Sequence, residues 1–134
     1  MDPGRLKAIP IFSHLSDAEA RRLATFATET SLAEGQILMK QGDYSTELIA
    51  IEEGTADVVR DGDRVATLGD GDLIGEIGLF ERRPRNADVI ATSPMRVLKL
   101  THWEIRRMSE DTVERIRAII AERTRAGVAD HPAA

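Results

Sequence analysis

The sequence predicts a mainly β fold, a β-roll of the double-stranded β-helix (jelly-roll) kind, with one helix before it and helices after it. Short β-rich runs fill the stretch from about Glu34 to Leu100. Gly35, Gly42, Gly54, Gly62, Gly69 and Gly71 punctuate those runs at intervals of a strand plus a turn, and helix-start signals flank the whole stretch. A chain of 134 residues has room for one domain with one core. Its 42% apolar and 31% charged residues give the balance of a globular chain rather than a disordered one.

Each element follows in order. Ser16 stands where an N-cap belongs, Glu19 three residues on completes a capping box, and Leu15 is placed for a hydrophobic staple. Leu23, Phe26 and Ala27 are expected on the buried face of that first helix. The β-runs are Gln36 to Lys40, Glu47 to Ile51, Ala56 to Arg60, Arg64 to Leu68, Ala87 to Thr92 and Arg96 to Leu100. Ile49 alternates with Ile51, and Ala56 with Val58, the period of a strand with one face in a core. Glu53-Gly54 and Asp61-Gly62 suit tight turns, because glycine accepts a positive φ at little cost. After Thr101 the pattern turns helical, first over His102 to Met108 and then from Asp111, whose cap is supported by Glu114. Val113, Ile116, Ile119 and Ile120 form an apolar stripe on that last helix. Gly127 is a natural stop, so the expected organisation is one domain over residues 1–127 and a disordered tail over 128–134.

Composition excludes several classes of function. Without cysteine there are no disulfides, iron–sulfur ligands or thiol nucleophiles, which fits a reducing compartment. A net charge of -5 argues against direct nucleic-acid binding, which needs clustered basic charge to displace counterions. No apolar stretch is long enough to cross a bilayer, and the N-terminus lacks the pattern of a secretory signal, so a cytoplasmic location without membrane contact is the default expectation. His14, His102 and His131 lack a paired metal-ligand spacing, and no metal is expected. No serine, histidine and aspartate cluster offers an oriented nucleophile, so a catalytic role is not expected either.

The segment from Gly71 to Ala87 carries the functional signal. Gly75 and Gly78 punctuate a short, largely apolar run that includes Ile77, and the first turn of a helix there would offer unpaired N–H groups and the positive dipole end to an anion. Pro84 biases Arg83 away from helix, so the chain should turn extended just before Arg85. The Arg85 guanidinium is suited to grip two phosphate oxygens at once. Glu76 would repel an anion unless it has another task, and an acceptor-only carboxylate suits a ribose 2′-OH. Ala87 is small enough to let its backbone approach a ligand. Arg82, Arg83 and Arg85 sit beside Glu81, and for the first two a solvated turn is the simpler reading.

At these residues the sequence resembles the cyclic-nucleotide-binding domain family. Ile74-Gly75-Glu76-Ile77-Gly78-Leu79 and Pro84-Arg85-Asn86-Ala87 match the order and spacing of its phosphate-binding cassette, and Ile9-Pro10-Ile11-Phe12 before Leu15-Ser16 resembles its opening. The resemblance implies that Glu76 takes the ribose 2′-OH and Arg85 the equatorial phosphate oxygen. Backbone N–H groups of Gly75, Gly78 and Asn86 or Ala87 would take the remaining ring atoms, while Val58 and Leu68 would face sugar and base. Ile74 stands where many members have phenylalanine, and Gly78 where alanine is commoner. Asn86 replaces the threonine or serine that accompanies cGMP preference, so the implied ligand is cAMP, with cGMP as the alternative, and no other cofactor. Family lids are C-terminal helices; the residue covering the base stays open among Ile116, Ile120, Arg117 and Arg123, and Trp103 is expected to anchor the helical tail rather than cap the base.

The implied function is a sensor or regulatory domain that signals by repositioning its C-terminal helix onto a separate effector protein, with an oligomer seam on that helix as a further use. Family transcription factors append a DNA-binding helix-turn-helix after the long helix, and this chain ends before one would fit. Either a stand-alone sensor or a domain of a larger protein is compatible with that. The rival expectation is an interaction module that keeps the β-roll but no longer binds nucleotide.

Overall fold

A computed structural model of the chain describes residues 2–43, 47–74 and 87–101, together with Glu110, Val113, Glu114 and Ala118. The first helix, α1 (Pro3–Lys7), starts where the Asp2 side chain accepts the Gly4 N–H and Pro3 supplies a preset φ. A single 3-10 turn over Pro10–Phe12 then leads to α2 (Asp17–Phe26). The predicted capping box is present in both directions: the Glu19 N–H donates to Ser16 Oγ at 3.1 Å and the Ser16 N–H donates to Glu19 Oε1 at 3.2 Å. Leu15 and Ala20, the two staple positions, are both buried in one cluster. Phe26, however, is 41% exposed. The buried stripe runs Ala20, Leu23, Ala24 and Ala27, and Phe26 lies roughly a third of a turn round from its centre.

Eight strands follow among the described residues: β1 (Thr28–Leu32), β2 (Ile37–Met39), β3 (Glu47–Glu53), β4 (Ala56–Arg60), β5 (Asp63–Leu68), β6 (Leu73–Ile74), β7 (Asp88–Ala91) and β8 (Met95–Thr101). They form two four-stranded antiparallel sheets, the first in the order β1-β8-β3-β6 and the second in the order β2-β7-β4-β5. Every predicted run contains a strand, with ends shifted by at most two residues and the Ala56–Arg60 run matched at both ends. β1 and β6 were not foreseen. β1 is an edge strand whose polar residues give no apolar alternation, and β6 is two residues long inside a glycine-rich stretch.

Alternation on β3 was expected to bury one face, and both are buried. Leu48 and Ala50, with Leu73, Leu98 and Leu100, pack against Leu6, Phe12 and Leu23 of the helical layer. Ile49 and Ile51, with Ile74 and Val97, pack against Ala56, Val58, Leu68, Val89 and Ala91 of the second sheet. The first sheet is thus the middle of three layers, and its central strands read as nearly continuous apolar runs. Each fully buried Leu or Ile contributes about 1.5–3 kcal/mol of transfer free energy. Val113 is helical and packs on the helical side of the sheet, as its place in the apolar stripe predicts. The rest of that stripe, the 102–108 helix, Trp103, Gly127 and the 128–134 tail lie outside the described residues.

Two turns fix the hairpins. Asp61 and Gly62 both have positive φ (52° and 85°), as a two-residue hairpin turn requires. Gly54, between β3 and β4, has φ 115°, and a Cβ there would stand 2.7 Å from the Pro94 carbonyl oxygen. Only glycine satisfies both demands.

Candidate functional site

Four of the sequence-predicted site residues are described, and they come together. Ile74 ends β6 in the first sheet, Ala87 stands just before β7 in the second, and Val58 and Leu68 lie on β4 and β5. All four belong to the buried cluster between the sheets: Ile74, Val58 and Ala87 are fully buried and Leu68 is 9% exposed. Register explains the convergence. Val58 pairs with Val89, and Ala87, two residues earlier, shares the inward face of Val89 and Ala91. Ala56 pairs with both Leu68 and Ala91, which puts Leu68 on that face too. Ile74 pairs with Ile49, opposite them across the core. Ile74 and Ala87, which stand on either side of residues 75–86 in the sequence, therefore meet at one apolar patch from opposite sheets. Gly75, Glu76, Ile77, Gly78, Arg85 and Asn86 themselves lie outside the described residues.

Both flanks are pinned by aspartates. On the entry side Asp70 Oδ1 accepts the Gly54 N–H and Asp72 Oδ2 accepts the Gly69 N–H, each at 2.8 Å. The Ile51 N–H donates to the Asp72 carbonyl at 2.9 Å and the Gly71 N–H donates back to the Ile51 carbonyl at 2.8 Å, which aligns β6 on β3. On the exit side Asp88 Oδ1 accepts the Gln41 N–H at 2.6 Å. Gln41 and Asp61 hold each other through Gln41 Nε2 to Asp61 Oδ1 at 2.9 Å and Asp61 N–H to Gln41 Oε1 at 3.1 Å. These bonds were not foreseen; Gly71 was read only as a break between β-runs, and partners such as Gln41 and Asp88 stand 47 residues apart.

The chemistry of this arrangement divides in two. The four described side chains are apolar and form a water-free patch of the inter-sheet core. The sequence between Ile74 and Ala87 carries charged residues, Glu76 and Arg85 among them. A ligand with an apolar-faced ring and an anionic group at one end fits that division.

Comparison with known proteins agrees with this reading of the fold. The family model described as "Cyclic nucleotide-binding domain" matches residues 29–112. The cAMP-dependent protein kinase regulatory subunit of Yarrowia lipolytica is 34% identical over 102 residues, which are 75% of this chain and 27% of that protein. Thus the chain spans about a quarter of the length of that relative. Among solved structures, cAMP-bound PfPKA-R (141-441) superposes with a TM-score of 0.80 at 20% identity, covering 93% of this chain and 44% of that one. The regulatory subunit of a cAMP-independent protein kinase A from Trypanosoma brucei superposes with a TM-score of 0.78 at 25% identity, covering 91% and 44%.

Proposed function

The chain belongs to the cyclic nucleotide-binding domain family, and from that premise we propose that it holds a cyclic mononucleotide, cAMP in preference to cGMP, as the input of a regulatory switch. The observation that carries the reading is the shared burial of Ile74 and Ala87: the two ends of the segment bearing Glu76 and Arg85 converge on one apolar patch with Val58 and Leu68. In this reading Arg85 grips the cyclic phosphate, Glu76 accepts from the ribose 2′-OH, and backbone N–H groups of Gly75, Gly78 and Asn86 or Ala87 complete the cradle. Val58, Leu68, Ile74 and Ile77 supply apolar cover. Asn86, in place of a hydroxyl residue, supports adenine over guanine.

No catalysis is proposed, in keeping with the regulatory subunit among the relatives. The switch is a change in the seat of the C-terminal helix, read by a separate effector such as a kinase catalytic subunit. It requires that the nucleotide bind one helix arrangement more tightly than the other. The rival, a β-roll interaction module without nucleotide, draws support from the cAMP-independent protein among the structural neighbours. Titration calorimetry of the chain with cAMP and with cGMP separates them. Saturable heat with the tighter constant for cAMP is expected, and no heat with either nucleotide would favour the rival.

A further inference from the structure

The helix-facing side of the first sheet turns from apolar to charged along its length. Leu48 and Ala50 on β3, and Leu100 and Leu98 on β8, lie buried under the helices; the next residues on those faces are Glu52 and Arg96. Arg96 stands opposite Ser31 of β1, and Glu29, two residues before Ser31, shares that face. With Arg5 of α1, these four side chains bound a cavity of about 390 Å³.

The polar groups in it are unequally satisfied. Arg5 donates from Nε and Nη2 to Glu52 Oε2 and Oε1 at 3.0 and 2.6 Å, and its Nη2 also lies 2.7 Å from Glu29 Oε1. Both Glu52 oxygens are thereby engaged. Arg96 is left with one long contact, Nε to Glu52 Oε1 at 3.4 Å, and its two terminal nitrogens have no partner among the described residues. Among those residues the Ser31 hydroxyl and Glu29 Oε2 have none either. A free guanidinium fork beside a hydroxyl suits a carboxylate or a phosphate. A dianion, however, would stand against Glu29 and Glu52 and be repelled. A ligand that sets an ammonium beside its carboxylate turns that repulsion into a second contact. Ser31 and Glu29 lie about 7 Å apart along β1, a gap that such a zwitterion spans with one charge-assisted hydrogen bond of about 2.8 Å at each end. The volume falls at the low end of the range for small-molecule sites, about 300–1,000 Å³, and so suits a small ligand.

We propose that this cavity is a second ligand site, for a small zwitterionic α-amino acid: Arg96 and Ser31 take its carboxylate, Glu29 takes its ammonium, and the Arg5–Glu52 pair holds Glu29 and Arg96 in place. The site lies on the opposite face of the first sheet from the patch of Ile74, Ala87, Val58 and Leu68, and it draws nothing from the nucleotide reading.

The test is an amide-resolved NMR titration of the full chain with L-alanine and, in parallel, with acetate, methylammonium and inorganic phosphate. L-alanine should shift the amides of Ser31, Arg96 and Val97 saturably. Acetate and methylammonium each carry half of the recognition and should bind at least about tenfold more weakly, the worth of one hydrogen bond to a charged group. Arg96→Gln should weaken L-alanine about tenfold or more, and Ser31→Ala about two- to tenfold. Glu29→Gln separates the two halves: L-alanine should weaken while acetate binds as before or more tightly. Arg96→Lys keeps the charge without the fork, guards against a folding defect, and should fall between native and Arg96→Gln. Shifts with L-alanine that never saturate, or that centre away from Ser31 and Arg96, would overturn the site. Acetate or phosphate binding the native chain as tightly as L-alanine would overturn the zwitterion and leave a plain anion contact, as would Glu29→Gln with unaltered affinity for L-alanine.

Discussion

In the proposed reading Arg85 and Glu76 bring the charge that the apolar flanks lack. There Arg85 pairs with the cyclic phosphate, so Arg85→Ala should weaken cAMP binding by about 2–5 kcal/mol in calorimetry. Arg85→Lys should recover little of it, because an ammonium has no planar fork for two phosphate oxygens. The proposal for both residues rests on a local signal in the sequence: a glycine beside a carboxylate, then a proline beside an arginine. Arg5 and Glu52 were not legible, since they are 47 residues apart and no short pattern marks them. A different residue-scale effect concerns acid. Hydrogen bonding from Lys7, at 2.9 Å, together with its charge, holds the Asp17 carboxyl below its ordinary value of 3.8. A carboxyl depressed in the folded state contributes stability that is present above the unfolded value and lost as pH falls through the folded one. Lys7→Met should therefore lower the melting temperature slightly near neutrality, where the contribution is present though small for an exposed pair, and the difference from the native chain should vanish as pH falls below about 4 and the Asp17 carboxyl protonates.

At the scale of the element, Gly54 and Gly62 look alike in sequence and differ in structure. Both have positive φ, but a Cβ at Gly62 meets nothing within 4 Å whereas one at Gly54 meets the Pro94 backbone at 2.7 Å. Gly62→Ala should cost about 1–2 kcal/mol in denaturant unfolding, the backbone penalty alone. Gly54→Ala should cost more, because the strand ends around Pro94 and Met95 must also shift. Removing the α2 cap with Ser16→Ala should cost about 1 kcal/mol in the same assay. Elements with caps, turns or strong alternation were readable for this reason: α2 and the Asp61-Gly62 hairpin each announce themselves within a few residues. β1 did not, because Thr28, Glu29, Thr30 and Ser31 owe their extended form to pairing with β8, far along the chain. Phe26 misled for the opposite reason, since an aromatic residue at helical spacing was assigned to the core by type while the stripe is set by alanines.

For the whole molecule, the first sheet serves two cores at once, which was not readable from alternation on single strands. Its strands present Leu48, Ala50, Leu98 and Leu100 to the helices and Ile49, Ile51, Ile74 and Val97 to the second sheet. Loosening either face loosens the sheet, so unfolding should be one cooperative transition, with circular dichroism and amide exchange reporting the same midpoint in native chain and variants. The two faces nevertheless differ in their relation to ligand. Leu100 and Ile74 are both essentially inaccessible, and truncating either to alanine should cost about 2–5 kcal/mol of stability. Leu100 lies beneath the helices, away from the patch shared by Ile74, Ala87, Val58 and Leu68. Leu100→Ala should therefore keep its cAMP dissociation constant within about twofold of native under conditions where it is folded, as expected for independent sites. Ile74→Ala opens a void at the foot of the segment bearing Glu76 and Arg85, and its binding should weaken well beyond that margin at equal stability loss. Equal dissociation constants in the two variants would detach the apolar patch from the ligand and leave the inter-sheet core a purely structural one.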